Sequence, residues 1–131
     1  MRRILTAATL FVIVGSWSAE ARPPRHSPPG TMQVLATAYC DRGPTRSGVR
    51  ARRGVVAADT RRWPLGTRLQ LLAPGQSYAG IYTVLDTGSG IRGRDLDIFM
   101  PSCAHARRFG RRTVQVRILS TGQSRGDRQQ H

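Results

Sequence analysis

The strongest constraint on the fold is a set of short runs that alternate with period two, each closed by a turn containing glycine or proline. "TVQVRIL", Thr113 to Leu119, sets Val114, Val116 and Ile118 on one face and Gln115 and Arg117 on the other. "GTRLQLLA" places Leu69 and Leu71 together, and "GIYTVLD" separates Ile81, Thr83 and Leu85 from Tyr82 and Val84. "MQVLATAYC", from Met32, alternates more loosely but is rich in residues that suit strands. The stretches "RGPTRSG", "PLGT", "APGQ" and "TGSG" between them are turn signals. One helix is expected: Ser102 can cap "CAHARRF", whose arginines come late and complement the helix dipole, and Gly110 suits its C-terminal end. This pattern makes a mainly β domain, a small barrel or compact sandwich with one or two short helices.

The ends of the chain limit how much of it can join that domain. Arg2 and Arg3 precede an apolar run from Ile4 to Val14, and Ala19-Glu20-Ala21 follows. A basic start, a short apolar run and a small-x-small site read as a secretory signal peptide, residues 1–21. The run is shorter than the ~20 residues that cross a bilayer, and no cysteine follows closely, so no stable membrane anchor is expected. Cleavage near Ala21 leaves 110 residues in the periplasm or secreted. Residues 22–31, with four prolines, read as an extended linker, and 121–131 as a polar disordered tail. One domain of about ninety residues, 32–120, remains, expected as a monomer; domains this small often need a staple. Cys40 and Cys103 are the two cysteines, and an exported chain favours pairing them over leaving two buried thiols.

Charge narrows the partners. The chain carries +14, with 21 basic residues and no lysine. Losing Arg2, Arg3 and Glu20 leaves 19 arginines against 6 aspartates, or +13. Such a field favours polyanions; for an exported chain these are cell-wall polymers or anionic surfaces and not nucleic acid. The cysteines and three scattered histidines have no metal-ligand spacing, so neither metal nor cofactor is expected. No phosphate loop or nucleophile elbow is present.

The aspartates are the candidates for chemistry, and "LDTGSGIRGRDLDIF", Leu85 to Phe99, holds three of them. Asp86-Thr87-Gly88-Ser89 resembles an aspartic-protease motif, but such enzymes need two copies sharing one proton. This chain has one, and only 34 residues separate Asp86 from Ser120. Asp86 therefore reads as a strand end entering a glycine-rich turn. Asp95 and Asp97 are two apart, which puts both on one face of a strand. Asp97 is followed by Ile98 and Phe99, so partial desolvation should raise its pKa and suit it as a general acid. Asp59 either caps a short turn, Thr60 to Trp63, or joins the site. Trp63 and Tyr39 either pack in the core or stack on a sugar ring.

The stretches "TAYC", "TRSG", "GVVAAD", "WPLGT", "YAGIYTVLDTGSGIRGRDLDIF" and "RTVQVRIL" together resemble the Asp-Asp-Asp (3D) domain family over about Leu35 to Leu119. The resemblance implies a six-stranded double-psi β-barrel, similar to the catalytic part of membrane-bound lytic transglycosylase A. It implies peptidoglycan glycan strands as substrate. The bond cut would be the β-1,4 link between N-acetylmuramic acid and N-acetylglucosamine, with a 1,6-anhydro ring formed. It maps the three aspartates to Asp59, Asp86 and Asp97 as catalytic candidates, with Asp97 the acid and base, and Thr37, Tyr39, Gly88 and Arg92 as substrate contacts. Where the family carries lysine this chain has Arg92, which keeps the charge but not the geometry. The transglycosylase groove also uses a second domain, for which ninety residues leave no room, so an open groove is expected. A non-catalytic wall-binding or expansin-like module, or a hydrolytic glycosidase, are the alternatives.

Overall fold

The structure is a computed structural model, and it describes residues 28–122. The signal peptide, most of the linker and most of the polar tail lie outside the described residues. Six strands and one helix follow in the order β1 (Thr31–Tyr39), β2 (Val55–Ala58), β3 (Arg68–Leu72), β4 (Gly80–Asp86), β5 (Leu96–Phe99), α1 (Cys103–Phe109) and β6 (Arg112–Ser120). The strands close into a barrel in the order β1-β5-β2-β4-β3-β6. The pairs β1–β5 and β2–β4 are parallel, and the other four are antiparallel. Closure leaves the six strands without an unpaired sheet edge.

The alternation reads out as expected. Leu69, Leu71, Tyr82, Val84, Val114 and Val116 point into the barrel, joined by Val34, Ala36, Val56, Ala58, Leu96 and Ile98. Each fully buried leucine or isoleucine contributes roughly 1.5–3 kcal/mol. Ile118 continues the Val114–Val116 row but is 41 % exposed at the strand's end. Trp63 is in the core, and its Nε1 donates to Gly93 O at 3.0 Å. It is thereby a packing residue with no exposed ring for a sugar.

The helix forms where its caps predict. Ser102 Oγ accepts from His105 N at 3.3 Å, and Gly110 closes the end with a φ of 62° that a side chain would resist. Ala106 and Phe109 are its buried residues, and Phe109 meets Tyr78 edge-on with centroids 5.0 Å apart. Cys40 and Cys103 form a disulfide, tying the end of β1 to the first residue of α1.

Candidate functional site

The outer face of the sheet carries the site. β1, β5, β2 and β4 are neighbours in the barrel, and one row of registered residues runs across them: Thr37 pairs with Asp97, Asp97 with Ala57, and Ala57 with Asp86. Registered residues share a face. Ala36, Val56, Val84 and Ile98, next in sequence or nearly so, face the core, so this row faces outward. Its alignment depends on an irregularity. The β2–β4 ladder shifts register between Val56 and Ala57, which skips Leu85 and brings Asp86 opposite Ala57. A methyl group at position 57 is the only side chain in that row between the two carboxylates.

Asp97 is half-buried. Thr37 Oγ1 donates to its Oδ1 at 3.0 Å, and Oδ2 has no hydrogen-bond partner among the described residues. Burial pushes its pKa up; the Thr37 hydroxyl opposes that shift, and the negative charge of Asp86 adds to it. Asp86 has more donors by comparison. Its Oδ1 accepts from Arg46 N and Thr87 N, each at 2.9 Å, and Tyr39 OH makes a long contact of 3.5 Å to its Oδ2. The loop that presents Arg46 is fastened to the same strand end, where Ser47 N donates to Leu85 O at 2.9 Å.

Tyr39 leans against Phe99 with centroids 5.5 Å apart, beside Val55, Ala51 and Leu85. Burial first, then the charges of Asp86 and Asp97, push its phenol pKa well up, so it remains a donor at any physiological pH. Both packing and contact with the site are therefore true of Tyr39.

The structure brings Thr37, Tyr39, Asp86 and Asp97 together. Asp59 is held by a different set of partners. Arg61 Nε donates to Asp59 Oδ1 at 3.0 Å, and the Arg61 guanidinium reaches Oδ2 at 2.9 Å. Gly93 N donates to Oδ2 at 3.0 Å, while Trp63 N and Arg62 N close a turn on Asp59 O. The Arg61 side chain, then Gly93 N–H, hold this carboxyl below the usual carboxylate range. Asp59 is thus the turn cap, and it also fixes the loop leading to β5. Gly88 and Arg92 lie in that loop, where Ile91 N donates to Gly88 O at 3.1 Å and Asp95 N to Arg92 O at 2.9 Å. Arg92 is exposed.

Two features of the site escaped the motif reading. One is the Arg46 backbone N–H that holds Asp86, although Arg46 lies within the "TRSG" stretch. The other is the bulge at Val56/Ala57, which leaves no signature in a run of four apolar residues. Among the described residues no group of three or more His, Cys, Asp or Glu could hold a metal ion, and no helix is long and apolar enough to cross a membrane. A cavity of about 640 Å³ lies away from these carboxylates and is lined by residues such as Leu72, Tyr78 and Val114.

The fold and this face define a class: a closed mixed barrel with two interacting carboxylates on the outer surface of its sheet. A family model described as "3D domain" matches residues 54–120, and the chain belongs to that family. YabE of Bacillus subtilis (strain 168), provisionally named for cell wall shaping, is 35 % identical over 99 residues, 68 % of this chain and 23 % of its own length. YocH of the same organism, a cell wall-binding protein, is 32 % identical over 98 residues, 68 % of this chain and 32 % of its own. The chain therefore spans about a quarter to a third of these relatives. Among solved structures, the lytic transglycosylase MltA from Escherichia coli is similar with a TM-score of 0.50 and 27 % identity, over 63 % of this chain and 29 % of MltA.

Proposed function

We propose that this protein is an exported lytic transglycosylase that cuts the MurNAc–GlcNAc β-1,4 bond of peptidoglycan. The observation that carries this reading is Asp97: a half-buried carboxyl with a raised pKa, one oxygen held by Thr37 and the other unpartnered. A hydrolase normally needs two carboxylates to handle a water. Attack by the sugar's own 6-hydroxyl needs only one, used twice. Asp97 first gives its proton to the glycosidic oxygen as the C1–O bond breaks. The resulting carboxylate then takes the proton of the 6-hydroxyl as O6 bonds to C1, which restores the acid and closes the 1,6-anhydro ring. The negative charge of Asp86, a neighbour held by two backbone donors, raises the proton affinity of Asp97. Thr37 fixes which oxygen of Asp97 is free.

The test is mass spectrometry of soluble fragments from purified peptidoglycan treated with the protein or with Asp97→Asn. Anhydro-muropeptides are expected from the wild type alone. Fragments with reducing ends would replace this reading with a hydrolase.

A second reading, a non-catalytic wall-binding barrel, is favoured by the name of YocH and by the excess of arginine. It predicts salt-sensitive retention on the wall pellet with no new chain ends.

A further inference from the structure

A small cavity of about 50 Å³ opens beside Thr37, lined by Leu35, Thr37, Ile91, Asp95 and Arg111, with Gly90 and Leu96 completing it. The strand registers explain its position. β1 pairs Ala36 with Arg112 on one side and Ala36 with Leu96 on the other. One step further along each ladder, Arg111 falls opposite Thr37 and Asp95 beside Leu35. Thr37 thus stands between Asp97 on one side and Arg111 on the other. With strands ~4.8 Å apart, the cavity lies about one sugar ring from the Asp97 carboxyl.

Its chemistry is specific. Asp95 and Arg111 share the cavity without forming an ion pair, and among the described residues the one ion pair is Arg61–Asp59. Neither side chain has another hydrogen-bond partner there. Leu35 and Ile91 supply an apolar wall. Ile91 lies close over Gly88, where a Cβ would meet Ile91 Cδ1 at 3.2 Å. An anion would be attracted by Arg111 and repelled by Asp95, and a cation the reverse. The group that satisfies both is neutral and dipolar, with an N–H for the carboxylate, an oxygen for the guanidinium and a methyl for the apolar wall. A secondary acetamide has those three parts and four non-hydrogen atoms. A cavity needs ~10–15 Å³ of such space to hold one water, so this one has room for more than a single water-sized group.

We infer that this cavity is a subsite for the 2-acetamido group of the sugar beside the bond cut, with Asp95 accepting its N–H and Arg111 donating to its carbonyl oxygen. This rests on the peptidoglycan reading above, and it names the substituent by which that site distinguishes amino-sugar polymers from other β-1,4 glycans. Both polar partners are charged, so a sugar with hydroxyl in place of acetamide should bind about tenfold or more weakly.

The experiment is isothermal titration of the protein with chitopentaose and with cellopentaose, both neutral, repeated on Arg111→Gln and Asp95→Asn. Both changes replace exposed or part-exposed side chains that hold nothing else in place. The expected result is a preference for chitopentaose of about tenfold that falls toward unity in each variant, with cellopentaose binding unchanged. Equal affinity of the wild type for the two sugars, a preference undiminished in both variants, or binding of neither sugar would overturn the assignment. These titrations need no turnover. An acetamide preference in a protein that releases no anhydro-muropeptides would sink the transglycosylase and keep the subsite. Release without the preference would do the opposite.

Discussion

The Cys40–Cys103 disulfide closes the largest covalent loop available to this domain, and its removal allows a magnitude to be worked out. The two residues are 63 apart in sequence. In the chain-entropy model, cross-linking residues that far apart removes ~14 cal/mol/K from the unfolded chain, or about 4 kcal/mol at 25 °C. The native state should change little. The end of β1 is also held by Met100 N donating to Tyr39 O at 2.8 Å and by the Tyr39–Phe99 ring contact. The start of α1 keeps its Ser102 cap. The effect therefore falls mainly on the unfolded ensemble. For a domain of this size each kcal/mol moves the midpoint by about 4–8 °C, so a Cys40→Ala, Cys103→Ala double variant should melt roughly 15–30 °C lower. Differential scanning calorimetry of the variant, and of the wild type under reductant, measures this, and the two should agree. A shift below about 5 °C would show that the unfolded chain is already compact across this loop, and would refute the entropic argument.

Two other predictions concern single groups. Asp97→Asn should abolish anhydro-muropeptide release without lowering the melting temperature at pH 7. The folded pKa of Asp97 is raised, so its favourable contribution is present when it is protonated at low pH and is lost as pH rises through that pKa. The stability gap between the variant and the wild type should therefore narrow as pH falls from about 7 toward 4; urea melts at several pH values would show it, and a variant less stable at pH 7 would contradict it. Gly122→Ala should destabilise by about 1–3 kcal/mol, because a Cβ there runs into the backbone of the 65–67 turn. It would collide with Leu65 O and lie 2.6 Å from Thr67 N, in a place where Gly122 N already donates to the buried Thr67 Oγ1 at 2.9 Å. A loss under about 0.5 kcal/mol in urea unfolding would mean that the chain end simply lifts away.

The strands were legible where one face is buried and the other is not. "RLQLL" and "IYTVLD" carry that contrast, and the faces they assign are the faces found. The helix was legible to the residue because Ser102 and Gly110 are local signals whose geometry needs no tertiary partner. β2 was not separable by period. Its VVAA is buried throughout, with Val56 and Ala58 inside the barrel, Val55 under Phe99 and Ala57 in the row between the two carboxylates. A strand covered on both faces has no alternation to read. The parallel pairings and the bulge at Val56/Ala57 are properties of register between distant segments, which no local window contains. That is also why Asp97 could be favoured from its apolar neighbours, while the relation of Asp86 to it could be reached only through the family resemblance.

The three aspartates differ in their donors, and that difference supports the roles proposed for them above. Desolvation acts on Asp59 and Asp97 in the same direction, so their hydrogen bonds and neighbouring charges make the difference. Asp59 receives a guanidinium and two backbone N–H groups, and it is held ionised. Asp86 receives two backbone N–H groups and a distant phenol. Asp97 receives one neutral hydroxyl, and burial outweighs it. Asp59 and Asp97 thus shift in opposite directions, and the raised pKa of Asp97 supports the proton-carrying role proposed for it. Proton transfer needs a group of the second kind, because a carboxylate satisfied by cations has no affinity left for the proton it must take back. The same comparison explains why Asp59 and its partner Gly93 matter at a distance. They fix the loop that enters β5, and β5 sets where the carboxyl of Asp97 stands against Thr37.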